Sequence, residues 1–333
     1  MNHERPAIGR RPLNLAFVLD PLPELKASKD SSIAMMRAAA TCSHAVFAID
    51  CATLAWRWPE SAQPGGVSGV AVQLHMQPDD HDWFREIGRD RIPLTNFDAI
   101  IMRRDPPFDN EYLTATWLLE RAEADGVRVF NRPRALRDHS EKVAIAEFPQ
   151  FAPETLICRD VEQLQQFIDE YGDVILKPLD GMGGSQIFRV QRADPNRNVI
   201  IETLTHEGER TIMAQRHLPE IVAGDKRILL IAGEPVPYCL ARIPKAGETR
   251  GNLAAGGTGV AQALTKRDRE IAEALGPILF DRGLLLVGID VIGNHLTEIN
   301  VTSPTCMVEI RQQTGFDSAA AFVAAIEREC AIS

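Results

Sequence analysis

Lys177-Pro178-Leu179-Asp180-Gly181-Met182-Gly183-Gly184-Ser185 is the stretch on which the reading of this 333-residue chain turns. An apolar run, Val174-Ile175-Leu176, precedes it, and a second strand-like run, Gln186-Ile187-Phe188-Arg189-Val190, follows. A lysine at a strand end, a glycine-rich turn and a returning strand can cradle phosphate. Glycine lets backbone N–H groups crowd around an anion, and the ammonium adds a point charge. The stretch fits neither the Walker pattern nor the Gly-x-Gly-x-x-Gly dinucleotide fingerprint, and an ordinary hairpin turn has the same outline. The rest of the chain has to decide between them.

Composition narrows the classes. With 45% hydrophobic and 25% charged residues the chain reads as a soluble globular protein, long enough for two or three packed units. No apolar run approaches the ~20 residues of a membrane span. Residues 1–12 hold arginines and a histidine but no apolar stretch, which reads as a disordered extension and not a secretory signal. The six cysteines are scattered without a Cys-x-x-Cys pair, which points to a reducing, cytoplasmic setting and against a zinc or disulfide framework. A net charge of −10 disfavours nucleic-acid partners. An anion site must therefore gather its cations locally.

Moving outward from the glycine stretch, residues 13–133 alternate strands and helices: strands at Leu13–Leu19, Ala45–Ile49, Asp98–Met102 and Val127–Phe130, with helices from the Asp30 cap to Thr41 and over Asn110–Ala124. That order implies a parallel sheet with ligand loops at the strand carboxyl ends. The loop after Leu19 is long and lacks closely spaced glycines, which argues against a nicotinamide site. From spacing alone, Arg103-Arg104-Asp105 reads as a solvated charged turn. Asn131-Arg132-Pro133 marks a first boundary. A second unit, residues 134–219, holds the glycine stretch, strands at Thr155–Cys158 and Thr211–Gln215, and helices at Val161–Tyr171 and near Asn198–Thr205. Lys142, early in this unit, reads on its own as a surface lysine.

A third unit, residues 220–333, opens with a strand Asp225–Ile231 whose alternation puts Asp225 and Arg227 on the face of Leu229 and Ile231, as in a strand leaving the core for a site or for solvent. The strand returns over Val236–Ile243. Residues 244–260 carry five glycines and no periodicity, which reads as a flexible lid with Arg250 and Asn252 on it. A helix follows from Lys266 to about Arg282. Leu284–Ile292, a Gly293-Asn294 turn and His295–Asn300 then form a hairpin. Glu298 and Asn300 share a face in any pairing. A two-residue turn pairs Asp290 with Thr297, whereas a three-residue loop pairs it with Glu298. In the second register, three hard oxygen ligands meet as Mg²⁺ bridging phosphates requires.

Taken together, these stretches resemble the ATP-grasp ligases, and more closely the bacterial glutathione synthetases. The likeness runs over nearly the whole chain after the extension. It is carried by Lys29-Asp30-Ser31-Ser32, by Met102-Arg103-Arg104-Asp105-Pro106-Pro107-Phe108-Asp109 and by the glycine stretch. Asp225-Lys226-Arg227, the run from Pro235 to Pro244, the run from Gly247 to Gly257 and the run from Thr297 to Thr305 extend it. The resemblance implies an N-terminal parallel-sheet domain followed by a two-part ATP-grasp α+β fold, with 134–219 as lid subdomain and 220–333 as catalytic subdomain. It implies that Lys142, Lys177 and the loop Gly181, Met182, Gly183 and Gly184 hold the phosphates of ATP. Gln215 to Leu218 would lie against the adenine and Asp225 near the ribose. Asp290, Glu298 and Asn300 would hold Mg²⁺, with Mn²⁺ as an alternative. Arg227, Arg242, Arg250 and Asn252 would serve the transferred phosphoryl group and the acyl phosphate. The implied substrates are γ-glutamylcysteine and glycine, the implied assembly a homo-oligomer, dimer or tetramer. Arg104 stands where a lysine is usual and keeps its charge; Thr258 stands where a basic residue is common and removes a charge from the lid, which bears on lid kinetics and glycine affinity. The rival readings are another ATP-grasp carboxylate–amine ligase, of the D-alanine–D-alanine or peptide-modifying type, and a non-catalytic ATP-binding regulator.

Overall fold

The computed structural model describes residues 11–58, 65–248, 250–253 and 256–331. Of the extension expected over 1–12, residues 1–10 lie outside these, and Arg11 pairs with Asp98. Thr249, Ala254 and Ala255 of the expected lid also lie outside them.

Apolar runs buried on both faces build the first sheet. Its parallel core is β2 (Ala45–Asp50), β1 (Asn14–Leu19), β6 (Ala99–Met102) and β7 (Arg128–Phe130), in that order. The sequence reading missed three further strands. β3 (Ala55–Arg57), β4 (Gly66–Met76) and β5 (Phe84–Pro93) add an antiparallel extension beyond β2. Most of β5 is exposed and charged, so it shows no apolar alternation to detect. Helix α1 (Ser31–Thr41) starts where the Asp30 carboxylate accepts from the Ile33 N–H, and α2 (Asn110–Ala124) where Asp109 accepts from Tyr112. A short α3 (Pro133–Asp138) leads out.

The second sheet is antiparallel, ordered β10 (Phe188–Gln191), β9 (Asp173–Pro178), β11 (Ile212–Arg216), β8 (Thr155–Cys158). Helices α4 (Val161–Tyr171) and α5 (Arg197–Thr205) cover it. Leu164, Ile168, Leu176, Ile201 and Ile212 make a core of their own, apart from the rest of the protein.

The third sheet is ordered β14 (Thr258–Ala263), β13 (Glu234–Ile243), β12 (Asp225–Ile231), β15 (Leu286–Ile292), β16 (His295–Asn300). β14 pairs with β13 from Thr258, so the irregular segment after Ile243 stops at Gly257, shorter than expected. Both faces of β12 are covered: Ile228 and Leu230 join one core, Leu229 and Ile231 the other. α6 (Lys266–Asp281) opens with a Thr265/Asp268 capping box, and the fully buried Asp268 pairs with Lys226. α7 (Met307–Thr314) and α8 (Ser318–Ala331) were also missed. Phe322 and Ile326 of α8 share a core with Ile33 and Met36 of α1, and His44 meets Glu327 at 3.1 Å. Helix α8 is thus packed against α1, and the first and third sheets share their cores.

Candidate active site

The hairpin β15–β16 sets the geometry. Its turn is the two-residue Gly293-Asn294 form, with Ile292 opposite His295 and Val291 opposite Leu296. The register then shifts by one, so that Asp290 faces Glu298 and Gly288 faces Asn300. Thr297 is the extra residue, and its hydroxyl donates to the Asp290 carbonyl at 3.2 Å. Neither simple register holds. A β-bulge, not a longer loop, brings the two carboxylates opposite each other.

Neighbouring strands bring the countercharges. Arg227 of β12 lies directly across from Asp290, and Asp225 across from Arg242 of β13. Arg227 Nη2 donates to Asp290 Oδ2 at 2.9 Å, and Arg242 Nη2 lies 2.9 Å from the same oxygen while also pairing with Asp225. Asp290 is 2% exposed. Burial alone raises a carboxyl pKa, but Arg227 and Arg242 outweigh it and hold Asp290 well below the usual range. Burial, with Asp290 adding to it, instead pushes the Asp225 carboxyl up to about 6 against the pull of Arg242.

The glycine stretch reaches the same place from the second sheet. Lys177 ends β9, and Lys142 precedes a short helical turn; they are 6% and 5% exposed. Lys142 Nζ donates to the Gly181 carbonyl at 2.7 Å and lies 3.2 Å from Glu298 Oε1, with Lys177 Nζ at 4.0 Å from that oxygen. Lys142 is therefore no surface residue. Burial, with Lys142 beside it, holds the Lys177 ammonium below its ordinary range despite Glu298. Burial works to raise the Glu298 carboxyl, and the two lysines overcome it and lower it. Arg103 corrects another expectation. It is buried, donating to Ser32 Oγ at 2.9 Å and to the Pro304 carbonyl at 3.0 Å, and is not part of a solvated turn.

One cavity of about 540 Å³ gathers Lys142, Lys177, Asp225, Arg227, Arg242, Asp290, Glu298 and Asn300, together with Gly181, Met182, Gly183, Gly184, Gln215, Leu218, Arg250 and Asn252; Arg103 does not line it. Gln215 is buried with Nε2 on Thr155 Oγ1 at 3.2 Å. Arg250 Nη1 donates to the Gly184 carbonyl at 3.4 Å, so the glycine loop and the 244–257 segment meet. Glu141 was missed. Its Oε1 accepts from Val301 N at 2.9 Å, Thr302 N at 3.0 Å and Thr302 Oγ1 at 2.9 Å, which ties the Lys142 segment to the exit of β16. A glutamate beside a lysine carries no local signal of such a role.

No group of three His, Cys, Asp or Glu residues that could hold a metal occurs among the described residues. The donor set fits a different arrangement. Asp290 and Glu298 supply carboxylate oxygens, and Asn300 spends its N–H groups on the Gly288 carbonyl (3.1 Å) and Asp290 Oδ2 (3.2 Å), leaving its amide oxygen free. Two carboxylates, an amide and nearby cations suit Mg²⁺ shared with phosphate oxygens.

The chain is similar to known proteins over most of its length. The N-terminal domain of prokaryotic glutathione synthetase matches residues 13–137, and the ATP-grasp domain of prokaryotic glutathione synthetase matches residues 141–315. Proteins named glutathione synthetase from Nitrosomonas europaea and Ralstonia nicotianae are 58% and 56% identical over 319 and 316 residues. They span 96% and 95% of this chain and 99% and 96% of their own. One from Pseudomonas aeruginosa is 53% identical over 90% of this chain and 93% of its own. Among solved structures, D-cycloserine synthetase DcsG superposes with a TM-score of 0.63 at 14% identity, covering 95% of this chain and 99% of that one. The ATP-grasp ligase PsnB, complexed with a phosphomimetic variant of its minimal precursor, Mg and ADP, gives 0.61 at 14%, covering 96% and 99%. These structures bear on the fold alone.

Proposed function

The chain belongs to the prokaryotic glutathione synthetases, and on that premise we propose that it joins γ-glutamylcysteine to glycine at the cost of ATP. The observation that carries the reading is the convergence of Lys142 and Lys177 on Glu298, and of Arg227 and Arg242 on Asp290, in one cavity under two glycine-bearing segments.

The γ-phosphoryl group passes to the cysteinyl carboxylate, the glycine amine attacks the resulting acyl phosphate, and the tetrahedral intermediate expels phosphate. Such transfer needs positioning and charge neutralisation more than a protein nucleophile. In this reading Lys142 and Lys177 hold the nucleotide phosphates, and the backbone of Gly181 to Gly184 closes beside them. Gln215 to Leu218 line the wall we assign to adenine, with Asp225 toward the ribose. Arg227, Arg242 and Arg250 offset the charge that accumulates on the transferred group, and Asn252 orients the segment bearing Arg250. Asp290, Glu298 and Asn300 would hold Mg²⁺, or Mn²⁺ in its stead, which when bound neutralises phosphate charge. An acyl phosphate hydrolyses in water, so the meeting of Arg250 with Gly184 serves to exclude it.

Six unpaired cysteines support a cytoplasmic setting, and a homo-oligomer, dimer or tetramer, belongs to the same reading. Among the described residues no helix is long and apolar enough to cross a membrane. The test is ADP release from ATP, Mg²⁺ and γ-glutamylcysteine with and without glycine. Glycine-dependent release with a glutathione product supports the reading. Release only with D-alanine or a peptide carboxylate would move the substrate assignment, and nucleotide binding without turnover would favour a regulator.

A further inference from the structure

The acids of the cavity are unequal in one respect. Asp180 pairs with Arg210, Asp225 with Arg242, Asp290 with Arg227 and Arg242, and Glu298 with Lys142 and Lys177. Glu141 is occupied by three donors from residues 301 and 302. Asp105 is exposed, lines the same cavity and has no ion pair among the described residues. Its Oδ1 accepts from Ser303 Oγ, which fixes the carboxylate, and the rest of it is open.

Its place in the sheet is informative as well. Asp105 follows the carboxyl end of β6, and its N–H donates at 2.9 Å to Oδ2 of Asp20, which follows the carboxyl end of β1. β1 has β2 on one side and β6 on the other, so the strand order reverses between β1 and β6. The crevice outside such a point is where open α/β sheets bind ligands. Here that crevice opens onto residues 302–306, at the edge of the cavity.

The substrates of the proposed reaction carry two ammonium groups. That of glycine has to lose a proton and attack next to the transferred phosphoryl, among the arginines and lysines. That of the γ-glutamyl residue lies at the far end of the dipeptide from the reacting carboxylate. We propose that Asp105 receives the α-ammonium of the γ-glutamyl residue, with Ser303 holding the carboxylate in place, and so selects γ-glutamyl over plain acyl substrates. Arg103 is spent on Ser32 and Pro304, so Asp105 is left as an exposed carboxylate with no ion pair among the described residues, held at the cavity by Ser303. Such a carboxylate is the partner an ammonium requires. This assignment rests on the ligase reading above.

The test compares γ-glutamylcysteine with glutarylcysteine, the same molecule without its α-amino group, in the full-length protein with ATP, Mg²⁺ and glycine. The unaltered protein prefers γ-glutamylcysteine by about 10- to 100-fold in kcat/KM, the usual range for a charge-assisted hydrogen bond lost at a binding site. Asp105→Asn keeps an acceptor for Ser303, raises KM for γ-glutamylcysteine by a similar factor, leaves glutarylcysteine and ATP unchanged, and brings the ratio near one. An unchanged ratio in Asp105→Asn, or no preference in the unaltered protein, overturns the assignment. If the unaltered protein releases no ADP with γ-glutamylcysteine while still binding ATP, the ligase reading has failed first, and the assignment falls with it.

Discussion

Asp290 and Glu298 stand directly opposite each other on adjacent strands, and each is held by a different pair of cations: Arg227 and Arg242 on one, Lys142 and Lys177 on the other. Two carboxylates at cross-strand distance repel. Here each is neutralised from its own side, Asp290 within the third sheet and Glu298 by lysines carried from the second sheet and its approach. Glu298 is therefore the point at which the segment of Lys142 and the second sheet are electrostatically joined to the third sheet.

Glu298→Gln removes that joint. Nucleotide binding without Mg²⁺ should hold or tighten, because both lysines are released toward phosphate, while Mg²⁺ activation is lost and turnover falls by about 10³-fold or more, the loss expected when a charge-stabilising group is removed from a buried site. Calorimetric titration of ADP with and without Mg²⁺, beside an ADP-release assay, checks both halves. Equal Mg²⁺ enhancement in variant and parent would contradict the placement.

Gly184 has φ +84°, and a Cβ there would lie 2.8 Å from Asn252 Oδ1. Gly184→Ala is strained in backbone and blocked by the facing segment. The variant should fold and bind ATP, with turnover lowered about tenfold or more, as misplacement in a positioned reaction costs. More ADP should also form per glutathione, because water reaches the acyl phosphate. A ratio that stays at one ADP per product would show that the two segments do not need to meet.

His139 is buried, and its Nε2 has no partner among the described residues. Burial, with Arg282 assisting, pushes its pKa from 6.5 down to about 4 against Glu147. The folded protein therefore keeps it neutral where the unfolded chain takes up a proton. Its contribution to stability is intact above pH 6.5 and shrinks as pH falls toward 4, by about 2–3 kcal/mol in all. His139→Gln should lose correspondingly less stability between pH 7.5 and 4.5 in urea unfolding. Parallel pH profiles for the two proteins would refute this.

Asp268 is fully buried, pairs with Lys226 and caps α6 through the Thr265 N–H at 2.9 Å. Asp268→Ala leaves a half-buried ammonium without its partner and should cost about 3–5 kcal/mol, the usual penalty for breaking a buried pair. The expected result is a markedly lower unfolding midpoint with near-normal turnover at low temperature. A midpoint within a degree of the parent would mean that the pair contributes little.

The sequence by itself determined what is local or repeated in pattern. Buried parallel strands such as Leu15 to Leu19 announce themselves as unbroken apolar runs, and the caps at Asp30 and Asp109 mark where helices begin. The glycine stretch marked the connection between two strands, β9 and β10, and the long motif runs pointed to the family. The tertiary structure decided what depends on residues far apart. It turned Arg103 from a surface charge into a buried tie to Ser32 and Pro304, and Lys142 into a partner of Glu298, 156 positions on. It folded the exposed, charged β5 into a sheet edge and returned α8 to α1. It also put a bulge at Thr297, one residue that decides which face Glu298 occupies. Periodicity reports which face of an element is apolar. Register across a hairpin, and the burial of a charge, are settled only by the free energy of the partners that the fold brings alongside.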